Sequence, residues 1–87
     1  MSVTWTHSAG VTLFRIWLRA RRPDRAAVLR AAHQLADRLA TDPVRADPPF
    51  RGTWRAARVG PVAVLYQLDA AGGAVVHHAA RVVRAVG

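Results

Sequence analysis

Apolar residues recur along this chain with two different periods, and the change of period divides it. Val3 and Trp5 alternate with Thr4 and Thr6, the spacing of a short strand. Ser8 is placed to cap a following helix, since its hydroxyl can accept a bond from a free backbone N–H of the first turn. Ala9, Leu13, Ile16, Trp17 and Ala20 then share one helical face. Pro23 breaks the run and disfavours helical geometry at Arg22 before it. A second helix opens near Asp24, whose negative charge suits the helix dipole. Within it Val28, Ala32, Leu35 and Leu39 form a continuous apolar stripe, and Pro43 marks its end. The tight Arg22-Pro23-Asp24 connection predicts an antiparallel helical hairpin.

Thr41 to Gly52 is rich in Pro, Asp and Arg and is expected to be a loop; after it the period drops to that of a strand. Thr53 to Val59 makes one strand and Gly60-Pro61 a turn. Val62, Val64, Tyr66 and Leu68 alternate with Ala63, Leu65 and Gln67 in the next. Asp69 to Gly73 is a hairpin loop, and Val75 to Val83 a last strand ending at Arg84. The order is β-α-α-β-β-β. Two amphipathic helices need a sheet face to cover, so the expected fold is α+β in two layers. A helical hairpin packs on a mainly antiparallel sheet of three to four strands, with the first strand at an edge. Leu35, Leu39, Val64 and Tyr66 are expected in one core. No repeat or long linker divides the chain, so residues 1–87 read as a single domain.

Charge narrows the choice of partner. Thirteen arginines face five aspartates, with no lysine or glutamate, for a formal net charge of +8. Codon usage rich in alanine and arginine explains the choice of arginine over lysine, but not the excess of bases over acids. That excess points to an anionic partner, either nucleic acid or an acidic protein segment. The absence of cysteine excludes disulfides and thiolate metal sites and fits a cytoplasmic protein. The apolar stretch Val11 to Leu18 is interrupted by Arg15 and is far too short to span a membrane, and no secretory signal precedes it. Gly72-Gly73 is a hairpin turn with no phosphate loop after it, and nothing indicates a cofactor, a metal or a small-molecule substrate. His77 and His78 are adjacent on a strand, which points them to opposite faces and keeps them from sharing a metal. Trp5, Trp17 and Trp54 suit packing better than base stacking.

The pieces carry a likeness beyond topology. Val3-Thr4-Trp5 is followed by Ala9, the first helix holds Leu13 to Trp17 as Leu-x-x-Ile-Trp, and the second ends in Leu39, Asp42 and Pro43. An arginine, Arg51, follows the loop. Then comes Arg58-Val59-Gly60-Pro61-Val62-Ala63-Val64-Leu65-Tyr66-Gln67-Leu68-Asp69, and Val75 to Arg81 forms a hydrophobic run with a His-His pair. In this order they resemble the RelE/ParE superfamily of toxins from bacterial type II toxin–antitoxin systems, of the plasmid-stabilisation type, over nearly the whole chain.

That resemblance implies growth inhibition and neutralisation by a cognate acidic antitoxin. RNA-cleaving members act on ribosome-bound mRNA with converging basic side chains and often a C-terminal tyrosine. A 2′-hydroxyl attack needs a base, cations for the phosphorane and an acid for the leaving oxygen. Here Ala63 stands where a catalytic arginine would precede the strand tyrosine. The lysine positions fall near Trp54 and Ala56, and no tyrosine follows Arg81 and Arg84. The expectation is therefore a ParE-like toxin that inhibits a target such as DNA gyrase by binding, and not an enzyme. The alternatives are a ribosome-dependent endoribonuclease using Arg58, Arg81 and His78, and a non-toxic basic adaptor domain. Arg51, Arg55, Arg58, Arg81 and Arg84 are candidates to line one contact surface. Arg15, Arg19, Arg22, Arg25, Arg30 and Arg38 are expected on the solvated outside of the hairpin.

Overall fold

Local chemistry sets where each helix begins. The hydroxyl of Thr6, with extended backbone, accepts a bond from the Ala9 N–H at 3.1 Å and caps the first helix. The cap is thus two residues earlier than the expected Ser8, which lies inside the first turn. At the other end Ala20 and Arg21 both adopt extended backbone, and the second helix starts at Arg22 with Pro23 in its first turn. Proline is tolerated there because its missing N–H has no helical partner to lose. Arg22 is therefore helical, contrary to the expectation, and the link is shorter than Arg-Pro-Asp.

The computed structural model describes residues 3–42 and 49–82. In chain order the elements are β1 (Val3–Trp5), α1 (His7–Arg19), α2 (Arg22–Thr41), β2 (Pro49–Arg51), β3 (Trp54–Val59), β4 (Val62–Leu68) and β5 (Ala74–Arg81). The expected α+β order holds, with one addition. β2 lies in the segment read as a loop, so the sheet has five strands in the order β1-β5-β4-β3-β2. The ladder β2 to β5 is antiparallel, whereas β1 runs parallel to β5. Pro43 lies outside the described residues.

The strand alternation decides what faces the helices. Val62, Val64 and Tyr66 of β4 are buried against α2, while Ala63, Leu65 and Gln67 look the other way. The apolar stripe of α2 is buried as expected, with Val28 at 1%, Ala32 at 8% and both Leu35 and Leu39 at 0% exposure. Val28, Leu35 and Leu39 join Val64, Tyr66 and Val76 in one core, against which Val3, Trp5, Leu13 and Trp17 pack. Tyr66 has 0% exposure and is a core residue.

Two turns fix the register. Gly60 takes φ +54°, the left-handed region that glycine enters without penalty, and a Cβ there would stand 3.8 Å from the Ala31 side chain on α2. In the second hairpin the Asp69 carboxylate accepts from the N–H groups of Ala71 at 2.9 Å and Gly73 at 2.8 Å. The helices are tied to each other by Arg25. It donates to the Leu18 carbonyl at 3.0 Å and lies over the Trp17 ring, 4.7 Å from its centroid. Arg25 is thus half-buried, not on the solvated outside.

Candidate functional site

Among the described residues, no helix packs on the side of the sheet away from α1 and α2. Its side chains follow from the register. On β3 they are Trp54, Ala56 and Arg58, paired across to Gln67's neighbourhood, Leu65 and Ala63 of β4. On β5 they are Val75, His78 and Ala80, the partners of Gln67, Leu65 and Ala63. Trp54, Ala56 and Ala63, the positions at which the resemblance in the sequence implies cations in RNA-cleaving toxins, all lie on this face.

One irregularity gives the face its chemistry. Leu65 pairs with His78 and the next residue, Tyr66, pairs with Val76, so β5 carries an extra residue, His77. Such a bulge breaks the alternation locally and re-aims side chains. Both imidazoles consequently meet Trp54, His77 edge-on at 5.1 Å and His78 tilted at 5.7 Å between ring centroids. The expectation that the two histidines point to opposite faces fails here, because it assumed an unbroken strand. Gln67 adds a hydrogen bond to the Thr53 hydroxyl at 3.0 Å at the rim. The result is an aromatic plate with two imidazoles, a shape suited to stacking a planar group.

The candidate arginines do not converge on that plate. Arg58, exposed, is on the open face, where its Nε donates to the Gly60 carbonyl at 3.4 Å. Arg55 is in register with buried Tyr66 and so belongs to the helix side. Arg81 is in register with Val62, fully buried against the helices, and is likewise on the helix side. There a guanidinium nitrogen of Arg81 lies 3.8 Å from the Asp24 carboxylate of α2. Arg58, Arg81 and His78, the trio a ribonuclease of this type would use, are therefore split between two faces of the sheet. The Arg51 side chain and Arg84 lie outside the described residues. Sequence reasoning missed the bulge and the pairing of Trp54 with the histidines. The only available signal was the three successive residues Val76, His77 and His78 that do not alternate.

A second surface is apolar. Between α1 and α2 runs a cleft of about 370 Å³ lined by Gly10, Leu13, Phe14, Trp17, Leu29 and Ala32. Phe14, Leu18 and Leu29 are 57%, 47% and 51% exposed, and the Phe14 and Trp17 rings stack at 6.2 Å. Exposed apolar patches rimmed by charge mark interaction sites more often than chance. Among the described residues, no helix is long and apolar enough to cross a membrane.

No protein-family model matches the chain, and no curated protein sequence does. Among solved structures, a chain from the crystal structure of the RelBE2 toxin–antitoxin complex of Mycobacterium tuberculosis is similar. The two agree with a TM-score of 0.68 and 23% sequence identity, over 93% of this chain and 96% of that one. The likeness is one of architecture and covers both molecules almost entirely: the chain shares the fold of that chain of the toxin–antitoxin complex.

Proposed function

We propose that this chain is the toxin of a type II toxin–antitoxin module. It inhibits a cellular target by binding, in the manner of ParE toxins on DNA gyrase, and it is neutralised by an acidic antitoxin. The observation that carries the choice of binding over cleavage is the separation of the cations. Arg58 is on the open face, and Arg55 and Arg81 are on the other. Stabilising a pentavalent phosphate needs several positive groups around one point. The fold and the net charge of +8 support the toxin reading and an anionic partner. The apolar cleft between α1 and α2 suits the hydrophobic face of an antitoxin helix, a groove-and-helix mode of recognition. A bacterial target of this kind places the protein in the cytoplasm.

One observation favours a second reading. The His77–His78 bulge against Trp54 supplies a stacking surface and two candidate proton-transfer groups on the open face. An RNA-cleaving toxin that replaced cations with imidazoles would look like this.

Inducible expression in a bacterium tests the proposal, with gyrase supercoiling and mRNA cleavage in a reconstituted translation system as the two readouts. Growth arrest with loss of supercoiling and intact mRNA is the expected result. Codon-specific cuts abolished by His78→Ala would replace it with the second reading. Normal growth throughout would leave the basic adaptor domain.

A further inference from the structure

The helical hairpin carries an apolar crest as well as a groove. On α1, Val11, Phe14 and Leu18 follow one another at three and four residues and so share one helical face. Phe14 and Leu18 are exposed there, as is Leu29 on α2. Val11 and Leu18 are not among the residues that line the groove between the helices. The apolar surface therefore continues past the groove, along the ridge of α1. A partner helix seated in the groove would leave Leu18 bare.

Positive charge borders this crest on both sides. Arg15 and Arg19 each follow a crest residue by one position, which puts them on the adjoining face of α1, and both are exposed. On α2, exposed Arg22 stands seven residues before Leu29 and shares its face. From His7 to His33 the chain holds six arginines and one acid, Asp24. The Asp24 carboxylate lies 3.8 Å from Arg81 of β5, so it is turned toward the sheet and not toward the crest. The apolar ridge is thus framed by cations without an acid beside it among the described residues.

A ridge of apolar side chains with a basic border fits the boundary layer of an anionic bilayer. Phe and Leu side chains enter the zone between headgroups and acyl chains, and guanidinium groups reach the phosphates while their stems lie along the apolar surface. The stacked Phe14 and Trp17 rings suit the same depth, where aromatic residues gather. A partner helix is matched by a concavity; a flat surface takes a crest. We infer that the outer face of the hairpin docks on an anionic lipid surface, with Phe14, Leu18 and Leu29 inserted and Arg15, Arg19 and Arg22 on the headgroups. So few inserted side chains do not hold without charge, so the attachment is reversible and salt-sensitive. Adsorption of this kind needs no membrane-spanning helix. The inference goes beyond the toxin reading and does not depend on it.

Co-sedimentation of the full chain with vesicles of phosphatidylcholine, with and without phosphatidylglycerol, tests it. The chain should bind the anionic vesicles, release them at high salt and leave the neutral ones in solution. Phe14→Asp and Leu18→Asp should each weaken binding by about tenfold or more, the loss of a largely inserted apolar side chain. Arg15→Gln and Arg19→Gln should each weaken it about fivefold. Arg58→Gln removes the same charge from the open face of the sheet, further from the lipid than a Debye length of about 8 Å, and should weaken it less than about twofold. Circular dichroism of each exposed-site variant verifies that folding is retained. Equal losses at Arg15, Arg19 and Arg58 would reduce the effect to net charge and overturn the inference. Vesicle binding indifferent to Phe14→Asp and Leu18→Asp would overturn it as well, and so would failure to bind the anionic vesicles. A synthetic acidic amphipathic helix is the competing occupant. If it bound in solution, lost affinity on Leu18→Asp and left the vesicles unbound, the crest would belong to a protein partner instead.

Discussion

Single side chains in this domain act through burial or through one hydrogen bond, and the two differ in size. Leu35 has 0% exposure and sits where α2 meets β4. Leu35→Ala should lower stability by about 2–5 kcal/mol, measured by urea unfolding, because the small core leaves little to relax into the cavity. Thr6 acts by one bond to the Ala9 N–H. Thr6→Ala should cost about 0.5–2 kcal/mol. Ser8→Ala, at the residue the sequence favours as the cap, should change stability by less than about 0.5 kcal/mol. If the two hydroxyl deletions proved equal in the same melts, the cap would be misassigned. Sequence pattern names both residues as candidates, since each precedes an apolar helical face. What separates them is the backbone: Thr6 is extended while Ser8 is already helical.

At the scale of elements, legibility follows how local the cause is. The stripe of α2 and the alternation of β4 are properties of consecutive residues, and both are found where the sequence puts them. β2 has three residues and owes its strand geometry to pairing with β3, so its own sequence, with a proline, gives no strand signal. The His77 bulge is likewise a property of two strands together. It decides the candidate site, because every residue after it changes face. Were His77 kept and paired in regular alternation, Arg81 would look out over the open sheet beside Arg58. This gives a sharp test. Deleting His77 removes the extra residue and leaves the pairing of His78 to Arg81 intact, so the domain should fold with a loss of less than about 1 kcal/mol, near the centre of ordinary substitutions. Deleting Ala79, beyond the bulge, shifts Ala80 and Arg81 to the opposite face. Arg81 would then leave Asp24, and the register with Val62 would be broken. Thermal melts in which the two deletions behave alike would argue against the bulge.

For the whole molecule, charge and apolar surface occupy different places. Guanidinium groups line the cleft at the end of β5, while the groove between the helices is almost purely apolar. A partner that uses both should show two separable responses to salt. Raising the ionic strength shortens the Debye length to about 8 Å at physiological salt, so the association rate should fall steeply. The dissociation rate should change little, because the apolar contact persists. Stopped-flow mixing with the product of the adjacent gene, if that product is acidic, measures both; an association rate indifferent to salt would move the adaptor reading ahead of the toxin. The parallel pairing of β1 with β5 bears on timing. The β3–β5 ladder forms between neighbours in sequence, but Val3 to Trp5 find their partners only in Ala74 to Val76. Contacts that close so long a loop slow folding, because chain entropy is lost before they form. During synthesis the first strand must therefore wait, with Val3 and Trp5 uncovered, until the last one has emerged. For that interval the edge of the sheet is open to any other strand, and a partner made at the same time meets the domain while it is still unfinished.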